Sequence, residues 1–440
     1  MFRTVFVVLV LAAGWGFALQ SPLYAACLYL WIAYFRPESW AWSDIFSTLN
    51  LSYIAGIYLV FRTFLSGTKL RLDWRSGLLL LFLGHSLLSA SLGLHADASF
   101  GYWQDFAKMI VVSILLTNII QTPADLRLVM IVIALSLGFE AAKQGWAQLV
   151  LDPGGRNDNG VPFLGDNNLV AVGMAMLVPL VAALAATSTG IYKRAFQFLN
   201  IGVIYRALST YSRGGFLSIG AVSAIWFWRS PHKARTLVAV VVAAALILPL
   251  MPKQFWDRMS TITVDTEQYD DSQQSRLHFW QVAVAMANDR PLIGVGHRGY
   301  ERAYNQYDWT EGKFMTNRAV HSAWFGVLAE LGYPGLLLFI AIVFGSLRSC
   351  RRVRKAAERG EIAGPLGPYA IAFETSLVAF MVGGSFVSFH YNEMLWHYFA
   401  LTIALERVAV REMAAQREHK EARPPATEAP ASPEPEFAWG

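Results

Sequence analysis

Five residues have the type and setting to handle an anionic ligand and a proton: Arg213, Arg276, Arg298, Arg318 and His321. Arg213 lies in Ser209-Thr-Tyr-Ser-Arg-Gly-Gly215, a tight turn between two apolar segments. A guanidinium at the edge of hydrocarbon is costly and is usually paired or functional. The two glycines after it suit a close backbone approach to a phosphate group, or simply a tight turn. The competing reading is an arginine that snorkels to the interface. Arg276 follows an acidic cluster and opens a helical pattern at Leu277, Trp280 and Val284. It can grip phosphate oxygens with two parallel bonds, or it can pair with Asp270 or Asp271. Arg298 and Arg318 are further arginines of the same polar stretch. His321 stands where that stretch meets the next apolar segment. An imidazole there can act as a general base, although a lone histidine is more often structural.

These residues belong to, or face, the one long polar interruption of the chain, 253–320. A connection of that length within a compact architecture is usually functional. Its acidic cluster, Asp265, Glu267, Asp270 and Asp271, offers oxygen ligands for a divalent cation. It has no defined ligand spacing, so a solvated acidic loop is the preferred reading and no metal site is assigned. Gly294-Val-Gly296 follows no strand and opens no helix, which argues against a dinucleotide site. Asp166 reads as a helix N-cap. Glu330, nine residues into the apolar segment after His321, is expected to hydrogen-bond inside the bundle.

The elements that must position these groups are membrane spans. Hydrophobic residues make up 55% of the chain and charged residues 15%, against roughly 25% charged in soluble domains. Mean hydropathy is +0.38. Apolar runs of spanning length recur at about 49–65, 77–93, 105–120, 127–150, 169–188, 195–210, 213–228, 237–252, 321–347, 368–389 and 392–408, after two shorter runs within 4–35. The fold class is therefore all-α: a polytopic membrane protein of about 12 transmembrane helices. One large extracytoplasmic loop contains short helices. Residues 1–410 form the membrane domain; 411–440, rich in proline and charge, is expected to be a disordered cytoplasmic tail. The net charge of +5 is spread over short clusters between spans, the positive-inside pattern rather than a nucleic-acid surface. Lys69 with Arg71 and Arg75, Arg229 with Lys233 and Arg235, and Arg348 to Arg359 mark cytoplasmic connections. Alternation then puts 151–168, the Arg213 turn and 253–320 outside. The two cysteines, Cys27 and Cys350, suggest neither a disulfide framework nor a zinc site.

Several stretches, in order, resemble the O-antigen ligase family. They are Phe163-Leu-Gly-Asp-Asn-Asn168, Thr210-Tyr-Ser-Arg-Gly-Gly215, Ser275-Arg276 with Trp280, Asp289-Arg-Pro-Leu-Ile-Gly294, and His321-Ser with Leu328-Ala-Glu-Leu-Gly-Tyr-Pro-Gly335. Within that family they look most like the O-glycosylation ligases that accompany the exosortase A system. The resemblance implies a multi-pass protein of the bacterial inner membrane with its active site on the periplasmic face. It implies a glycan donor on undecaprenyl diphosphate, an acceptor hydroxyl on a lipid core sugar or a protein, and a metal-independent inverting transfer without cofactors. Arg213 and Arg276 then hold the diphosphate, with Arg298 and Arg318 as further partners, and His321 acts on the acceptor. Two rivals remain at this point. An O-antigen-type polymerase uses another lipid-linked glycan as acceptor. A transporter or flippase would bind the same lipid without chemistry, and would be expected to show inverted repeats, of which the sequence has no sign.

Overall fold

The computed structural model describes residues 2–41, 46, 48–247, 249, 252–253, 255–256 and 271–421. Among them the regular elements are all helices, with no named strand and one isolated bridge between Val161 and Gly165. In chain order the helices are α1 (Phe2–Ala18), α2 (Pro22–Phe35), α3 (Pro37–Trp40), α4 (Leu51–Leu65), α5 (Trp74–Leu92), α6 (Ala96–Ile119), α7 (Pro123–Leu151) and α8 (Asn167–Ala186). There follow α9 (Gly190–Leu208), α10 (Arg213–Arg229), α11 (Lys233–Ile247), α12 (Asp271–Asp289), α13 (Tyr300–Tyr307), α14 (Ala323–Glu358), α15 (Leu366–Gly383) and α16 (Glu393–Glu421).

Local sequence explains the helix starts. Pro22 and Pro123 occupy first-turn positions, where the missing N–H costs nothing. Thr122 and Asp125 close a capping box. Asp166 accepts the amides of Asn168 and Leu169, the N-cap expected from sequence. The helices α5, α8, α14 and α15 are long and apolar enough to cross a membrane, and α1, α2 and α4 are shorter apolar helices. Large apolar side chains stay exposed on the outer helices, for instance Leu9, Phe61, Leu81, Phe198 and Val241. An apolar exterior of this kind has lipid as its natural solvent. The centre is α8, apolar all round and buried from Val170 to Leu184 save for Ala182. It packs against α7, α9, α10 and α15. Small residues set the closest crossings, as where Gly145 of α7 abuts Gly202 of α9.

The bundle has two unlike ends. At one, Glu374 is ringed by Arg229, Arg351 and Arg354, and Glu406 by Arg75 and Arg352. The basic clusters read as cytoplasmic thus converge there. Arg348 to Lys355 lie on the last turns of α14 and not in a loop. At the other end sit the 152–166 connection, the Arg213 turn and the 290–321 segment. Asn157 N–H donates to the Ser209 carbonyl at 2.8 Å, and Ser212 Oγ is 2.9 Å from Asn168 Oδ1. Helix α16 continues to Glu421, past the point where a tail was expected; 422–440 lie outside the described residues. So do Asp265, Glu267 and Asp270 of the acidic cluster.

Candidate functional site

The segment 290–296 is built into a break in α14. Gly332 leaves helical geometry (φ 68°, ψ −171°), and Pro334 follows it. Proline has no N–H for the carbonyl four residues back, which here is Glu330. The carbonyls released at the break are met from outside the helix. Ala329 accepts the Val295 amide at 2.9 Å. Glu330 accepts the Gly296 amide at 3.2 Å and Ser89 Oγ at 2.6 Å. The Leu331 carbonyl lies 2.8 Å from His85 Nε2. In return Tyr333 N–H donates to the Pro291 carbonyl at 2.9 Å. The Gly294-Val-Gly296 pattern therefore serves backbone docking. A Cβ on Gly294 (φ 65°) would stand 2.4 Å from the Ala329 carbonyl oxygen.

This docking fixes the walls of a cavity of about 360 Å³. Helix α6 contributes Tyr102, the α8 N-terminus Asp166 and Asn168, the 298–302 segment Arg298 and Arg302, and the α14 entry His321 with Glu330. The connection between α15 and α16 closes it with His390 and Tyr391. Glu330 is buried: its Oε1 accepts the Tyr300 amide at 3.3 Å and its Oε2 faces His390 Nε2 at 3.4 Å, so it bonds within the protein as expected.

His321 also lines the cavity. It is half-buried, at φ 49°, immediately before Ser322, the N-cap of α14. Arg298 shares the left-handed conformation at φ 51°. Such backbones cost about 1–3 kcal/mol each in a non-glycine residue and persist only where surroundings dictate them. Burial, reinforced by the charges of Arg276 and Arg318, pulls the His321 imidazole down to about 4, with Asp166 opposing. It is neutral at physiological pH and can accept a proton.

Of the arginines singled out from sequence, Arg276 and Arg318 act on this histidine and Arg298 shares its cavity. Arg298 lines the cavity, 5.3 Å from the Tyr102 ring centre and 5.9 Å from that of Tyr391. Arg318 lies over Phe279 at 5.7 Å. Arg276 is on α12, which starts at Asp271, earlier than the pattern at Leu277 suggested. Four residues on, Trp280 stacks on Phe325 and lies 6.3 Å from Phe386. Arg213 opens α10, and a Cβ on the adjacent Gly214 would lie 3.2 Å from Phe386. The elements carrying Arg213 and Arg276 thus meet on one side chain of the α15–α16 connection.

Sequence reasoning missed Tyr102, Arg302, His390 and Tyr391. Arg302 had a usable signal, as another arginine of the polar stretch. His390 and Tyr391 lie in a short gap between two apolar runs, where pattern gives only a turn.

Comparison with known proteins follows the same anatomy. The family model described as O-antigen ligase matches residues 198–340. A second model, a family of unknown function (DUF5935), matches residues 2–187. No curated protein matches. The cavity draws Tyr102 and Asp166 from the second region, Arg298 and His321 from the first, and His390 from beyond both. Residues of both regions therefore line one cavity. With its apolar helices, the chain is an integral inner-membrane protein of glycan ligase or polymerase type. Over residues 198–340, it carries a domain that matches the O-antigen ligase family.

Proposed function

We propose that this protein transfers a glycan en bloc from undecaprenyl diphosphate to an acceptor hydroxyl, on a lipid core sugar or a protein, at the periplasmic face. About 12 helices span the bilayer in this reading, with the cavity end outside and the Glu374 and Glu406 arginine clusters inside. Kinship with the exosortase-associated O-glycosylation ligases belongs to the same proposal. The observation that carries it is His321: an imidazole with a titration point of about 4, at the cavity wall, with Arg276 and Arg318 acting on it and Arg298 lining the same cavity.

In the reaction the acceptor oxygen attacks the anomeric carbon of the donor. The carbon–oxygen bond to the diphosphate breaks, and its electron pair leaves with undecaprenyl diphosphate. His321 takes the hydroxyl proton. Arg213 and Arg276 balance the charge that grows on the diphosphate, with Arg298 and Arg318 as further donors. A single displacement inverts the anomeric centre. Guanidinium groups supply the charge stabilisation here, so no metal is assigned.

The test is single-turnover transfer from purified lipid-linked donor, beside direct donor binding. His321→Ala should lose about 10²–10⁴ in rate and keep donor binding. Near wild-type transfer would make His321 structural. Product analysis separates a ligase from a polymerase, whose product stays on the lipid.

A further inference from the structure

A second polar pocket lies at the opposite end of the helices that frame the cavity. Tyr102 and Asn118 of α6 face the two sites, about 24 Å apart at ~1.5 Å rise per residue. Helix α16 likewise starts just after Asn392 of the cavity and reaches the pocket at Arg407. The pocket, of about 310 Å³, is lined by Lys69, Arg71, Arg407 and Arg411 with Asn118 and Gln121. No carboxylate is among its lining residues within the described part of the chain. Acids nearby in sequence are already paired, Glu406 with Arg75 and Arg352. Asp73 caps α5 and pairs with Arg75 at 2.9 Å and Arg407 at 3.3 Å. Asp125 accepts the amides of Gln121 and Thr122.

The pocket is also held in shape. Arg407 donates to the carbonyls of Thr117 at 2.9 Å and Arg71 at 2.7 Å, and Arg411 to that of Gln121 at 3.1 Å. The Arg71 amide is pinned to Asn118 Oδ1 at 2.7 Å. Residues 68–73 form a connection without regular structure. Lys69 and Arg71 line the pocket, and their chain neighbours Leu70 and Leu72 are 41% and 58% exposed. Trp74 and Phe64 add exposed aromatic surface on either side of the strip. Cationic groups thus stand directly beside apolar ones at a helix-bundle end, the chemistry of a phospholipid's anionic head and its acyl chains.

We infer that this pocket binds the phosphate headgroup of an anionic membrane phospholipid, with Leu70, Leu72 and Trp74 against its chains. It does not depend on the transfer reaction. The test uses the full chain, purified and delipidated in detergent, and native mass spectrometry with phosphatidylglycerol, phosphatidylcholine or free glycerol 3-phosphate. Phosphatidylglycerol should be retained in preference to phosphatidylcholine. Lys69→Gln with Arg71→Gln should weaken it by about fivefold per charge removed, while Lys69→Arg with Arg71→Lys should preserve it. Unchanged binding in the Gln pair overturns the site. Equal affinity for glycerol 3-phosphate overturns the lipid assignment, because the apolar rim would then contribute nothing.

Discussion

The amide of Gly296 donates to the carbonyl of Glu330 at 3.2 Å, the carbonyl that Pro334 cannot bond within its own helix. One residue pair thereby ties the polar segment to the break in α14. The Glu330 side chain turns the other way, toward His390 and the cavity.

Gly294→Ala tests this tie. The position has φ 65°, and an added Cβ meets the Ala329 oxygen at 2.4 Å. The backbone conformation alone costs about 1–2 kcal/mol for a residue with a side chain, and the contact adds to that. Thermal unfolding in detergent should show a clear drop relative to wild type, with transfer reduced in the folded fraction. An unaltered melting temperature would mean that the segment is held elsewhere.

The pH profile tests the neutral imidazole. His321 titrates at about 4 in the folded protein and near ~6.5 when unfolded. Between these values the unfolded chain binds the extra proton. This contribution to stability therefore rises with pH across the window and is complete above it. Catalysis follows the folded value, so the acid limb of kcat/KM should fall near 4. Arg318→Gln removes one of the charges that depress it and should move the limb upward. An acid limb near 6.5 that ignores Arg318 would detach His321 from the reaction.

Arg213→Lys and Arg276→Lys should each impair use of the donor. Lysine keeps the charge but not the planar two-pronged contact with phosphate oxygens. Donor titration of transfer should show a raised KM or a lowered kcat in both. Two fully active lysine variants would remove these residues from the diphosphate role.

Activity should survive EDTA, since the charge on the leaving group is assigned to arginine. A strict need for added Mg²⁺ or Mn²⁺ would shift attention to Asp265, Glu267, Asp270 and Asp271.

Topology can be read by cysteine labelling of intact cells with an impermeant reagent. Lys313→Cys, exposed near the cavity end, should label without permeabilisation, and Lys69→Cys only after it. Cys27 is half-buried and Cys350 buried, which limits background. The reverse pattern would invert the orientation proposed for the bundle.

The sequence by itself determined the class of protein, because long uncharged runs have one stable solution in lipid, the helix. It also determined the Asp166 cap, whose side chain acts on amides two and three residues away. Arg213 and His321 were legible as a cation and an imidazole at span ends, where burial is costly enough to make such residue types conspicuous, and Arg276, Arg298 and Arg318 as cations of the one long polar stretch. What joins them is tertiary. His390 and Tyr391 reach the cavity only because α16 packs beside α6 and α14, and no periodicity encodes which helices are neighbours. The depressed titration point of His321 likewise depends on burial and on Arg276, 45 positions earlier. The role of Gly294-Val-Gly296 depends on a helix break more than 30 residues further on. Local chemistry is written along the chain, whereas through-space fields and backbone partners exist only once distant segments meet.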